Sequence, residues 1–198
     1  MKINKSDDIN IFFIGDTHFH HEKVIIYDKR PFKDENNLPD ISLMNEELIK
    51  NWNSVVKVTD IVFLTGDIVF GGIKKTKEIV DQLNGVIHVV IGNHDSLKIL
   101  EKTNRFSSIS DRLNLYIKTD SDEKGILFIL DHFPLMVWDK CANGSIHLHS
   151  HCHGSLMENN PDYYKRRVMD VGCPNINYTP ISYDEVMRIM STREIIKV

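Results

Sequence analysis

The segment SIHLHSHCHG, Ser145 to Gly154, carries a histidine at every second position: His147, His149, His151 and His153. In an extended strand alternate side chains share a face, so all four would point the same way. The segment alone leaves open whether they are four metal ligands, two, or a strand of unusual composition. Other groups with metal-binding chemistry recur just beyond short apolar runs. They are Asp16 and His18 in GDTHFHH, Asp67 in GDIVFGG, Asn93 and His94 in GNHDS, His132 in ILDHFPL, and His151 with His153 in HSHCHG. Imidazole, carboxylate and amide oxygen together suit Mn, Fe or Zn and suit Ca poorly, since Ca prefers all-oxygen ligation. Singly each piece is weak, because Gly-Asp is a turn dipeptide and Gly-Asn-His-Asp can cap a helix. Five in order, each at a strand exit, point to one metal centre.

The elements that must position these groups are legible. INIFFIG (Ile9 to Gly15), DIVFLTG (Asp60 to Gly66) and VIHVVIG (Val86 to Gly92) are nearly continuous apolar runs, the pattern of strands buried on both faces. Between the first two, SLMNEELIKNWNSVV predicts a helix with Leu48, Trp52 and Val55 on one face and Ser42 as its N-cap, acids following in the first turn. Between the second and third, KKTKEIVDQLNG predicts an amphipathic helix closed by Gly85. This half is βαβαβ, for which a parallel sheet is favoured. The C-terminal half is strand-rich, with LNLYIKT, GILFILDH, SIHLHSH and RRVMDVG, then a helix in SYDEVMRIM and a terminal strand in REIIKV. The polar stretch from Thr119 to Lys124 reads as a hairpin loop. Loops beyond the carboxyl ends of strands form the ligand crevice of open α/β sheets, where the histidines and acids lie.

At 198 residues the chain has room for a well-buried core, and one domain over residues 1–198 with two sheets is expected. A net charge of -4 gives no basic footprint, which argues against a dedicated nucleic-acid-binding surface but leaves a nucleotide substrate open. No apolar run approaches a membrane span, and the N-terminus MKINKSDDINIFFIGD lacks a secretory apolar region. Three cysteines without paired spacing read as reduced thiols, so a cytoplasmic location is expected.

The ordered series D-x-H, GD, GNHD, H and H-x-H resembles the calcineurin-like metallophosphoesterase superfamily from about Ile9 to Gly154. DTHFHHEKVIIYDKRPF, MNEELIKNWNSVV and VMDVGCPNINYTPIS are similar to stretches of its small, stand-alone bacterial and phage phosphoesterases. The resemblance implies a four-layer α/β/β/α sandwich with two mixed β-sheets. It implies two divalent transition-metal ions, Mn first, with Fe, Zn or Ni as alternatives. One would take Asp16, His18, Asp67 and His153, and the other Asp67, Asn93, His132 and His151. Asp67 would bridge ions ~3.5–4 Å apart. Two dications against two carboxylates would attract a phosphate anion and favour a bridging hydroxide that attacks phosphorus in line. His94 resembles the family's catalytic histidine, assisting the leaving group, and Asp95 would pair with its other ring nitrogen, cap the following helix, or do both. By this division His147 and His149 serve packing or hydrogen bonding behind the ligands.

Weaker candidates surround this set. His21 matches a histidine of the Phe-Gly-His found in relatives, whereas His20 replaces the glycine; both are loop histidines that can face substrate or solvent. Arg30 in KRPF can hold a phosphate bidentately or serve as a turn arginine before Pro31. His88 reads as a strand histidine, Lys165 to Arg167 as a solvated face, and Cys152 as a packing residue pointing away from the ligands. Ser150 stands where the family has glycine, which strains the backbone if that position needs positive φ. The leading function is a dinuclear phosphoesterase acting on a small phosphodiester or nucleotide-type substrate. A metal-dependent nuclease shares the centre. A non-catalytic scaffold on the same fold would usually have lost His94 or a ligand, and here all are present.

Overall fold

The chain begins with a strand that no apolar run announces, β1 (Lys2–Asn4), an edge strand pairing parallel to β6 (Arg112–Thr119). The three apolar runs then supply β2 (Ile11–Ile14), β3 (Ile61–Leu64) and β4 (Val86–Val90), all parallel, with β5 (Ser108–Ser110) beyond β4. This computed structural model describes residues 1–119 and 122–195. Among them the strands form two mixed five-stranded sheets. One runs β10-β2-β3-β4-β5, with β10 (Ile181–Ser182) antiparallel to β2. The other runs β1-β6-β7-β8-β9, adding β7 (Asp122–Asp131), β8 (Ile146–His149) and β9 (Val168–Asp170). The expected hairpin loop falls where β6 meets β7, and its residues 120–121 lie outside the described residues.

Strand alternation explains why the runs are apolar throughout. Ile11 and Phe13 of β2 face the second sheet, where Phe13 stacks on Phe63 and Phe128 at 5.8 and 5.6 Å. Phe12 and Ile14 face the other way, into a core capped by α1 (Glu22–Tyr27), α2 (Ile41–Val55), α3 (Ile73–Val80) and α4 (Leu97–Thr103). The second sheet's outer face is covered by α5 (Ser155–Asn159) and 3-10 turns around Trp138, Tyr163 and Tyr164. The result is the expected α/β/β/α order, and α6 (Tyr183–Met190) adds Tyr183, Val186 and Met190 to the core between the sheets.

Helix ends differ from expectation in two places. α2 is capped by Asp40, whose side chain accepts from Leu43 N, so the helix starts before Ser42 and has no acid in its first turn. Its buried face is Met44, Leu48 and Trp52; Val55 is exposed and Val56 takes the inner position. α3 ends at Val80, and Gly85 (φ 95°) instead turns the chain into β4. The expected terminal strand shows one bridge, Arg166 to Glu194, and residues 196–198 lie outside the described residues. No helix among the described residues is long and apolar enough to cross a membrane.

Candidate metal centre

Each predicted chemical group sits one to four residues past a strand end, and most do so in an unusual backbone state. Asp16, His18, Asp67, His151 and His153 all have left-handed φ, from 47° to 70°. This region costs an L-residue roughly 1–2 kcal/mol, and non-glycine residues held there cluster at functional sites. The turns are held by the loops themselves. Asp16 N donates to Gly66 O at 3.0 Å, His18 N to Asp67 O at 2.9 Å, and Phe19 N to Ile68 O at 2.9 Å, so the loops after β2 and β3 ladder together past the sheet. Two glycines permit the crowding. A Cβ on Gly66 would lie 2.6 Å from Gly92 and 2.7 Å from His132 Nδ1, and one on Gly92 would run into the Asp67 carboxylate.

The side chains converge. Asp67 Oδ2 lies 3.6 Å from His18 Nε2 and 3.5 Å from His132 Nε2. Asn93 Oδ1 lies 2.9 Å from His132 Nε2 and 3.0 Å from His151 Nδ1, and His153 Nε2 is 3.9 Å from Asp16 Oδ2. Asp16, His18 and His153 each offer a ligand atom with all mutual distances within 4.8 Å, and so do Asp16, Asp67 and His132. The resemblance shares Asp67 between two ions; the geometry brings Asp16 near both groups as well. Asp16, His18, Asp67 and His132 are all buried, yet Asp16 Oδ1 and His18 Nε2 have no hydrogen-bond partner. A buried orphaned carboxylate oxygen and imidazole nitrogen are costly unless a cation satisfies them, so these residues fit a divalent metal. Burial pushes the Asp16 carboxyl well above the usual range, with His153 opposing. It drives His18 down to about 2, helped by His153 and Arg30. A dication would reverse the Asp16 preference and reinforce that of His18, since it binds a carboxylate and a neutral imidazole.

Two ring orientations are set from behind. His132 Nδ1 donates to Thr65 O at 2.8 Å and His153 Nδ1 to Asp28 at 2.6 Å, leaving each Nε2 for the centre. Burial alone would lower the His153 pKa, but the Asp28 hydrogen bond and the Asp16 and Asp28 carboxylates raise it.

The family model of the calcineurin-like phosphoesterases matches residues 9–176, the span that carries every one of these groups. The chain belongs to that family. It is 33% identical over 190 residues to the uncharacterised protein MJ1445 of Methanocaldococcus jannaschii, covering 94% of each chain. The crystal structure of AQ665, a protein of unknown function from Aquifex aeolicus, shares the fold with a TM-score of 0.68 at 22% identity, covering 91% of this chain and 99% of that one.

In this member of the family, His94 stands exposed, its ring 5.7 Å from that of His18, while its backbone N donates to Asp67 Oδ1 at 2.9 Å. His21 lies beside it at 6.4 Å and stacks on Phe70 at 4.4 Å, so it does border the centre. His20 turns away, accepting from Asn45 Nδ2. Two expectations are corrected. Asp95 does not pair with His94: its carboxylate accepts from the backbone N–H groups of Asp67, Ile68 and Gly92 at 2.8–3.0 Å, and Ser96, not Asp95, occupies the cap position of α4. Burial raises its pKa against those three bonds. Arg30 does not face substrate either, because it is fully buried, with its donors on Asp28 and the carbonyls of Asp16 and Thr17.

The histidine ladder divides where β8 ends. His147 and His149 are fully buried on the strand: His147 Nδ1 donates to Ile129 O and its Nε2 accepts from Leu135 N, while His149 Nδ1 donates to Ser150 O and its Nε2 accepts from Tyr164. His151 and His153 reach the centre from left-handed turns, not as two further steps of a strand. Ser150 escapes the positive φ that would strain it, and its hydroxyl hydrogen-bonds Thr65. Cys152 is half-buried and lines a cavity of about 520 Å³ with Tyr27, Asp28, Lys29, Ser155 and Glu158 beside His151 and His153. His88 is a strand histidine bonded to Ser108, as expected. Asp28 is the residue that sequence patterns missed; nothing in YDKRPF separates it from an ordinary surface acid.

Proposed function

We propose that this chain is a two-metal phosphoesterase that hydrolyses a small phosphodiester or nucleotide-type substrate in the cytoplasm. The observation that carries the reading is the meeting of Asp16, His18, Asp67, Asn93, His132, His151 and His153 from five loops, with Asp16 Oδ1 and His18 Nε2 buried and unpartnered. Asp16, His18, Asp67 and His153 would hold one divalent ion, Mn preferred, and Asp67, Asn93, His132 and His151 the other. What such ions contribute when bound is positive charge against phosphoryl oxygens and a water acidified toward neutral pH.

The rest falls to the chain's own groups. His94, exposed beside His18, is placed to hand a proton to the leaving oxygen. Its backbone is pinned to Asp67 Oδ1, so its distance from the centre is fixed by the same residue that joins the two ligand sets. Asp95 acts one step behind, as a positioning residue: by gathering the N–H groups of Asp67, Ile68 and Gly92 it locks the β3 loop to the β4 loop. The substrate class rests on the rim. Phe70 and Phe133 are 49% and 45% exposed and lean on His21 and His151, giving planar apolar faces beside the centre. The cavity of about 520 Å³ next to His151 and His153 has room for a leaving group larger than an amino-acid side chain.

The test is to purify the protein, load it with Mn²⁺ and assay chromogenic mono- and diesters with a panel of nucleotides and cyclic nucleotides. The expected result is metal-dependent hydrolysis that His94→Ala collapses by at least 10²-fold while metal stays bound. No turnover together with no bound transition metal would refute it. Cleavage of linear DNA but not nucleotides would assign a nuclease, and bound metal without turnover in the unmutated protein a scaffold.

A further inference from the structure

Arg30 raises a question that the chemistry of the centre does not answer. It is among the largest fully buried side chains, and its charge has one acidic partner, Asp28, at 3.0 Å. A buried ion pair contributes little to stability compared with apolar residues of similar volume, because desolvation offsets the attraction. Its contacts show what else it does. Nη2 donates to Asp16 O at 2.9 Å and Nη1 to Thr17 O at 3.0 Å, gripping the backbone between the two left-handed residues Asp16 and His18. The Asp28 oxygen that receives Nε and Nη2 also receives His153 Nδ1 at 2.6 Å. One ion pair therefore bonds Asp16 and His153 and holds the carbonyl of the peptide bond that leads into His18, so it bears on all three members of a group that can hold a metal. The other set is tied mainly elsewhere, His132 to Thr65 O and Asn93 to His132 and His151, and meets this group through the His151 N–H bond to Asp16 Oδ2.

We infer that the Asp28–Arg30 pair, its guanidinium fully buried, is a positioning device for one metal site more than for the other. The inference rests on the two-metal reading above. Asp28 fixes the His153 tautomer so that Nε2 faces Asp16, and the planar guanidinium holds the strained turn that aims Asp16 and His18. A lysine could not span two carbonyls and a carboxylate from one fixed fork. Loss of a partner behind a metal ligand typically weakens metal binding 10–100-fold. The affected ion is thus the one held by His18 and His153.

The experiment is a Mn²⁺ titration of chelator-stripped protein by calorimetry, resolving two binding steps. In Asp28→Asn one step is expected to weaken 10–100-fold while the other stays within about twofold. Equal weakening of both, or of neither, overturns the inference. Asp28→Asn leaves the Arg30 charge unpaired, so the double variant Asp28→Asn/Arg30→Met, which removes both charges, is titrated alongside with the same expectation. A measurement on the unmutated protein needs neither variant to fold: in the Zn²⁺-loaded form, nitrogen NMR should find the His153 proton on Nδ1, the resonance being assigned by its loss in His153→Gln. A proton on Nε2 overturns the inference. If the unmutated protein binds no metal, this inference and the two-metal reading fall together; if it binds two and both variants match it, only this inference falls.

Discussion

His147 should make the metal-free protein acid-sensitive in a way that can be isolated by one substitution. Its ring is fully buried beside Trp138, donating from Nδ1 to Ile129 O at 2.9 Å and accepting at Nε2 from Leu135 N at 3.0 Å. Protonation would replace the accepting nitrogen with a second N–H facing the Leu135 N–H. Burial, opposed only in part by the Ile129 bond, lowers its pKa from 6.5 to about 4. The unfolded chain therefore takes up this proton first as pH falls. The stability it contributes is complete above about pH 6.5 and is lost between there and about pH 4. At about 1.4 kcal/mol per pH unit the loss is about 2 kcal/mol by pH 5 and roughly 3 kcal/mol by pH 4. His147→Gln cannot titrate and keeps at best one of the two bonds, so it should be about 1–3 kcal/mol less stable at pH 7.5. That deficit should shrink by about 2 kcal/mol on going to pH 5. The assay is urea unfolding of chelator-stripped protein across that range, followed by the two buried tryptophans, Trp52 and Trp138. Other histidines titrate in both proteins and cancel from the difference. A deficit that does not change with pH would refute the assignment of His147 as a neutral, doubly bonded core histidine.

Three further outcomes follow from the same geometry. His149→Gln should leave metal content at two per chain by elemental analysis, since His149 bonds Ser150 O and Tyr164; a fall to one would place it among the ligands. Arg30→Ala should cost about 2–5 kcal/mol in urea unfolding because it empties a fully buried side-chain volume and takes the donors from the Asp16 and Thr17 carbonyls, where a phosphate-binding arginine would have changed KM with little effect on stability. Chelation should lower the melting temperature, and Mn²⁺ at 100 times its Kd should restore about 2.7 kcal/mol per site, measured by calorimetry with and without the ion.

What was legible in the sequence was whatever depended on residue type and strand alternation. β2, β3 and β4 stand out because both faces are buried, and the groups of the centre stand out because rare side chains recur at strand exits. β1 is silent because Lys2–Asn4 is an edge strand with a single partner and needs no apolar pattern. The end of α3 differs from the pattern because a glycine near a helix can serve the next turn instead of closing the helix. Conformation and burial of polar residues were out of reach for a deeper reason. The left-handed turns at His151 and His153 break the strand that their spacing suggests, and their partners come from distant loops: Asp16 Oδ2 accepts from His151 N and Asp28 holds the His153 ring. Arg30 and Asp95 look like a phosphate ligand and a catalytic partner in the sequence. Each is taken up mainly by backbone groups of another loop, Arg30 by Asp16 and Thr17 and Asp95 by Asp67 and Ile68, which no local pattern encodes.

The two oddities of the rim have one cause. Five of the seven converging residues hold strained backbone, and Asp16 and His18, both among those five, also carry buried atoms without partners. Either cost alone could be tolerated as a local defect; falling on the same residues, they mark side chains whose position is dictated by something other than their own folding energy. The supports are arranged to match. The Asp28–Arg30 pair, the three N–H groups on Asp95 and the His132 bond to Thr65 O all act on ligand-bearing loops from behind and leave the front of each side chain open. Apolar burial in the two cores holds the sheets together, while these polar contacts spend their geometry on aim. Substituting a support should therefore alter the centre more than the fold, which is the separation that the metal titrations measure.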